Sequence, residues 1–216
     1  MKSTHAPLQR FWLGCLCLVT LAALTACATS APPQLLHLRT QLPDATGRNA
    51  PSATASATKA ATTSSTTSST NWQLVTPVRL PDYLDRDALL VPQGQAGLQT
   101  IPGYRWAEPL RESVPRVLRQ DLAMLLGEDR VWTSPVPDSV VIDQQLRIEL
   151  LAFESNAERT AVVLQARWIV SKKGSASLGR SHSATLTVPS KGADADSLVA
   201  AHRQALWLFA QRIVAP

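Results

Sequence analysis

Arg147-Ile148-Glu149-Leu150-Leu151-Ala152-Phe153 and, one turn later, Val162-Val163-Leu164-Gln165-Ala166-Arg167-Trp168-Ile169-Val170 decide how this chain folds. Side chains on a strand point alternately to opposite faces, so a period of two in hydrophobicity marks a half-buried strand. From Val140 to Phe153 the alternation places Ile142, Leu146, Ile148, Leu150 and Ala152 on one face. From Thr160 to Ser171 it does the same for Val162, Leu164, Ala166, Trp168 and Val170, and Arg180 to Val188 reads as a third strand after Lys173-Gly174-Ser175. Arg147, Glu149, Gln165 and Arg167 fall on the opposite face, which is therefore wet.

The dry face needs a cover, and the period changes to supply one. Within Arg105 to Leu126, Leu110, Val114, Val117, Leu118, Leu122, Leu125 and Leu126 recur at three- and four-residue spacing, the pattern of an amphipathic helix. Pro109 suits an early helical position, Pro115 implies a kink or a later start, and Gly127 suits the stop. A last helix spans about Asp194 to Val214, with Leu198, His202, Ala205, Leu206, Phe209 and Ile213 as its stripe and Asp194 or Asp196 near the cap. Upstream, Gln73 to Leu80 is strand-like, and Ala88 to Val91 with Gly97 to Ile101 flank a Pro92-Gln93-Gly94 turn. The expected fold is α+β: a mostly antiparallel sheet with two main helices packed on one face, a two-layer sandwich.

The N-terminal end has a different logic. Lys2 and Arg10 precede an apolar stretch from Phe11 to Ala23 that is shorter than the roughly 20 residues a membrane span needs. Leu24-Thr25-Ala26-Cys27 then has the spacing of a bacterial lipobox, where cleavage leaves an acylated Cys27 as the first residue. Residues 1–26 thus read as a lipoprotein signal peptide and 27–33 as the lipidated N-terminus. Ala28 in place of aspartate favours the outer membrane by analogy with lipoprotein sorting. Cys15 and Cys17 leave with the signal peptide, so no disulfide and no free thiol chemistry remain. Loss of Lys2 and Arg10, with no acid, lowers the net charge of +5 by two, an ordinary surface with no nucleic-acid footprint. Residues 34–38 form a candidate first strand. Residues 39–70 are a flexible linker or loop, since their Ala/Thr/Ser tract cannot bury enough apolar surface to order itself. The folded domain is 71–216.

No catalytic, metal or cofactor constellation assembles from the residues. His37, His182 and His202 have no partner at ligand spacing, and His202, on an apolar stripe, reads as a packed histidine. Gly179-Arg180-Ser181-His182-Ser183 lacks the second glycine of a nucleophile elbow. Trp106 reads as a structural anchor at the base of the first helix. Asp82, Tyr83, Leu84, Asp85 and Arg86, behind Pro81, form the candidate partner or subunit interface, since Tyr and Arg concentrate binding energy. The alternative is that Tyr83 and Leu84 plug the sheet edge while Asp85 and Arg86 are merely solvated.

Two segments in order, Val78-Arg79-Leu80-Pro81-Asp82-Tyr83-Leu84-Asp85-Arg86 and Arg105-Trp106-Ala107-Glu108-Pro109-Leu110, resemble the PqiC-like ABC-type transport auxiliary lipoproteins. The likeness runs through most of Leu35 to Ala210. It implies a non-enzymatic lipoprotein subunit of a lipid transport system, anchored in the outer membrane on its periplasmic face. Its implied partners are an MCE-domain tunnel protein and the associated membrane permease, with the outer membrane held through the lipid, and it could form a homo-oligomer. A generic envelope assembly or maintenance lipoprotein without a transporter partner would have the same anchor and fold. The long Ala/Thr/Ser tract after the first strand departs from the family pattern and leaves that strand's pairing open.

Overall fold

A computed structural model describes residues 32–39, 70–175 and 179–215. Cys27, the signal peptide and residues 40–69 of the linker lie outside the described residues. The elements in order are β1 (Gln34–Leu36), β2 (Trp72–Leu74), a short 3-10 turn (Asp82–Leu84), β3 (Ala88–Gln93), β4 (Gly97–Trp106) and α1 (Leu110–Leu126). After these come β5 (Val131–Trp132), β6 (Gln144–Ser155), β7 (Ala161–Lys172), β8 (Arg180–Pro189) and α2 (Ala195–Val214).

The α+β class holds, but the strands form two sheets, and both are mixed. One has the order β1-β4-β3, the other β5-β2-β6-β7-β8. β6, β7 and β8 are antiparallel, as are β3 and β4. β1 runs parallel to β4, and β2 runs parallel to both β5 and β6. Hydrophobic alternation reports which face a residue takes but not the direction of its neighbour, so these parallel pairings leave no trace in the pattern. Of the expected first strand over residues 34–38, Gln34–Leu36 do pair, with Gln34 opposite Tyr104 and Leu36 opposite Trp106. The strand joins the smaller sheet, and Ala107 N–H closes it with a 2.8 Å bond to the Leu36 carbonyl.

The phase of β6 also departs from the expected alternation. Leu146, Ile148 and Leu150 are buried, but a bulge lies between Leu150 and Ala152. A bulge inserts one residue and flips the alternation beyond it. Phe153 therefore takes the core position expected for Ala152, and Leu151 is left 42% exposed.

Helix α1 begins at Leu110, the first residue of its apolar pattern, and not at Arg105. β4 runs on to Trp106, and Pro109 sits at the N-cap instead of inside the helix. Pro115 lies within the helix, so the Arg111 carbonyl loses its i→i+4 partner. Gly127 ends the helix at φ 115°, a conformation that favours glycine. Leu110, Val114, Val117, Leu118 and Leu122 are all buried. Every residue expected on the α2 stripe is buried too, and Asp194 caps that helix by accepting a 2.9 Å bond from Ser197 N–H. The two helices pack on each other, with α2 over β7 and β8. Between them lies a buried ion pair: the Arg203 guanidinium donates to both Asp121 carboxylate oxygens, at 2.9 and 2.5 Å.

Candidate docking site

The turn at Asp82–Leu84 exists because Pro81 cannot continue the strand before it, and two i→i+3 bonds close it: Leu84 N–H to Pro81 O and Asp85 N–H to Asp82 O. Leu84 is buried at 4% exposure, and Tyr83 packs partly buried against the core. The Tyr83 hydroxyl lies beside the Glu154 carboxylate, and burial first, then that charge, pushes the phenol up to about 12. These two side chains form the inward plug. Asp82, Arg86 and Asp87 face solvent, and Asp85 is half-buried.

Both sequence motifs form one clamp. Asp85 pairs at 2.5 Å with Arg111 in the first turn of α1, and Asp87 pairs at 2.5 Å with Arg105 on β4. The Trp106 N–H donates to the Asp87 carbonyl. At the strand-to-helix junction, Arg116 donates from two nitrogens to the Glu108 carboxylate, whose pKa this bonding lowers. His37, just after β1, lies 3.2 Å from Arg116 and 3.9 Å from Glu108. The Asp85–Arg111 pair and the Tyr83–Glu154 contact were not foreseeable from the first motif, because Arg111 and Glu154 lie outside it, nor the Glu108–Arg116 pair from the second, because Arg116 lies beyond it. Arg86 makes no ion pair among the described residues and stands at the turn's tip, free to meet another surface.

Trp106 lies behind this clamp at 6% exposure, facing inward. Its ring meets the His202 imidazole edge-on, with centroids 5.8 Å apart, and Phe153 meets the same imidazole from 4.8 Å. His202 donates Nδ1–H to the Leu198 carbonyl at 2.8 Å. Enclosure in this apolar setting lowers its pKa from 6.5 to about 4. The unfolded chain therefore takes up a proton near pH 6.5 that the folded chain refuses until about 4. This contribution to stability is complete above pH 6.5 and is lost as pH falls to about 4, at 1.36 kcal/mol per unit about 3 kcal/mol in all. Asp121 has the opposite sign, since burial pushes its carboxyl up to about 6 against the pull of Arg203, so acid favours its folded form. Comparing the wild-type chain with His202→Leu cancels the Asp121 contribution. Denaturation at a series of pH values should show wild type losing about 3 kcal/mol more than the variant between pH 6.5 and 4; parallel curves would mean that His202 does not titrate in this way.

Among the described residues, no group of three His, Cys, Asp or Glu side chains could hold a metal ion, and no helix is long and apolar enough to cross a membrane. His182 stacks on Trp168 with centroids 5.3 Å apart. Comparison with solved structures places the fold among proteins such as an uncharacterised protein, 19% identical over 66% of this chain and 89% of that one, with a TM-score of 0.58. Protein XCC0632 from Xanthomonas campestris, described under the family model DUF330, is 20% identical over 67% of this chain and 82% of its own, with a TM-score of 0.55. No curated protein sequence matches. The model of the ABC-type transport auxiliary lipoprotein component matches residues 54–214, which takes in both motifs and both helices. The chain belongs to the family of ABC-type transport auxiliary lipoprotein components.

Proposed function

We propose that this chain is an outer-membrane-anchored periplasmic lipoprotein, the accessory subunit of an MCE/ABC-type lipid transport system that maintains envelope integrity. Cys27 would carry the lipid, and residues 28–33 would join it to β1. The partners are an MCE-domain tunnel protein and its membrane permease, and the role is docking, not catalysis. The observation that carries this reading is the clamped turn: its apolar residues are used up inside the fold, its backbone is braced through Asp85 and Asp87, and Arg86 projects unpaired. A rigid loop presenting an unpaired arginine suits an interface, because little order is lost on binding. The test is capture of the MCE-domain protein from envelope extract on the lipidated chain. Arg86→Ala should weaken capture by about 1–3 kcal/mol with an unchanged thermal midpoint, and Cys27→Ala should release the chain from the membrane fraction. Full capture by a folded Arg86→Ala variant would remove the turn as the contact.

A further inference from the structure

The outer face of the five-stranded sheet carries a cluster of charge that the docking turn does not use. Arg79 bridges to Glu149 in parallel register, and Glu149 stands opposite Arg167 on β7. Side chains paired across strands emerge on the same face, so one carboxylate sits between two guanidinium groups. Arg147, two residues before Glu149 on β6, adds a third from the same face. Glu149 is taken by Arg167, Oε2 to Nη2 at 2.7 Å. Arg79 and Arg147 are exposed and make no ion pair among the described residues. These four side chains border a groove of about 630 Å³ that Pro77 and Ile169 also line, giving it an apolar flank.

We propose that this groove binds the phosphate monoester headgroup of an anionic phospholipid of the phosphatidic acid type, with Arg79 and Arg147 on the phosphate oxygens and Pro77 and Ile169 against the first carbons of the lipid. Three features select that ligand. Two guanidinium groups in excess over one carboxylate match a phosphate monoester of nearly two negative charges, and the planar guanidinium fits phosphate oxygens two at a time. The groove has the volume of a small-molecule site. Much of the strand backbone along it is already used: Val75 N–H bonds to Leu146 O, Arg79 N–H to Ile148 O, and Leu150 N–H to Arg79 O. With those groups taken, an extended peptide would find few main-chain partners there, which disfavours an acidic protein segment. The site requires no partner protein, so its failure would leave the docking reading untouched, and failure of docking would leave this site standing.

The test is calorimetric titration of the full lipidated chain, held in non-ionic detergent, with four probes: dihexanoyl phosphatidic acid, dihexanoyl phosphatidylcholine, inorganic phosphate and a glutamate-rich peptide. Phosphatidic acid should bind tightest, and its affinity should fall as salt rises. The Arg79→Gln/Arg147→Gln variant should bind it at least tenfold more weakly at an unchanged thermal midpoint, since both side chains are exposed and unpaired. Glu149→Gln, which removes the one repelling carboxylate, should bind it more tightly. Equal affinity for phosphatidylcholine, or wild-type affinity in the double variant, would overturn the site. Inorganic phosphate binding as tightly as the lipid would make free phosphate the ligand, and stronger binding of the peptide would make the groove a protein contact; either result overturns the lipid assignment.

Discussion

Asp121→Ala should cost the fold about 3–5 kcal/mol, measured by chemical denaturation, although it removes only a few atoms from the contact between α1 and α2. Asp121 and Arg203 have side-chain exposures of 0% and 2%, so neither charge has water to fall back on. Each alone in that interior would be costly to hold, and the bidentate geometry is what makes the pair tolerable. Truncating the aspartate leaves a guanidinium buried against the α1 stripe with its main acceptor gone. The pair as a whole contributes far less than its breakage costs, because both charges gave up hydration to form it. Asp121→Leu combined with Arg203→Met should therefore recover most of the loss, and a double-mutant cycle would show strong coupling. A loss under about 1 kcal/mol for Asp121→Ala would mean that water reaches the arginine.

The pair also marks a limit of what the sequence discloses. Each charge sits among apolar residues of its own helix, and a charged residue there reads as the edge of a solvated face; only the crossing of α1 over α2 brings the two together. Single-helix periodicity was otherwise a faithful guide. All six residues expected on the α2 stripe are buried, from Leu198 to Ile213, and so are the five best-placed residues of α1. Strand faces were legible as far as Leu150, where the bulge reversed the phase and exchanged Ala152 for Phe153. The division into two sheets was not legible, because β1 and β2 are three residues each and run parallel to partners distant in sequence. At the turn, the motif announced a feature but not its division of labour. Tyr83 and Leu84 point inward and Arg86 outward, and that assignment depends on Glu154 and Arg111, which no local pattern connects to it. The wet face of β6 and β7 was visible from alternation, whereas the arrival of Arg79 beside Glu149 needed the parallel pairing of the chain after β2.

Trp106→Ala should lower stability by about 3–5 kcal/mol, as other large-to-small core changes do. The indole is the last residue of β4, with β1 alongside, the Asp87 carbonyl on its backbone N–H and His202 of α2 on its ring. It therefore joins the smaller sheet to the second helix. A second readout separates a packing role from a binding one. The low pKa of His202 comes first from burial, and Trp106 is one of the two rings that enclose it. Water entering the vacated volume would rehydrate the imidazole and return its pKa toward 6.5. The variant should then lose less stability than wild type on acidification from pH 6.5 to 4, in addition to starting lower. Trp106→Phe, which keeps an aromatic edge on the histidine, should restore most of both properties. A Trp106→Ala chain with wild-type stability and wild-type acid response that no longer captures the proposed MCE-domain partner would reverse the assignment and make Trp106 part of the docking surface.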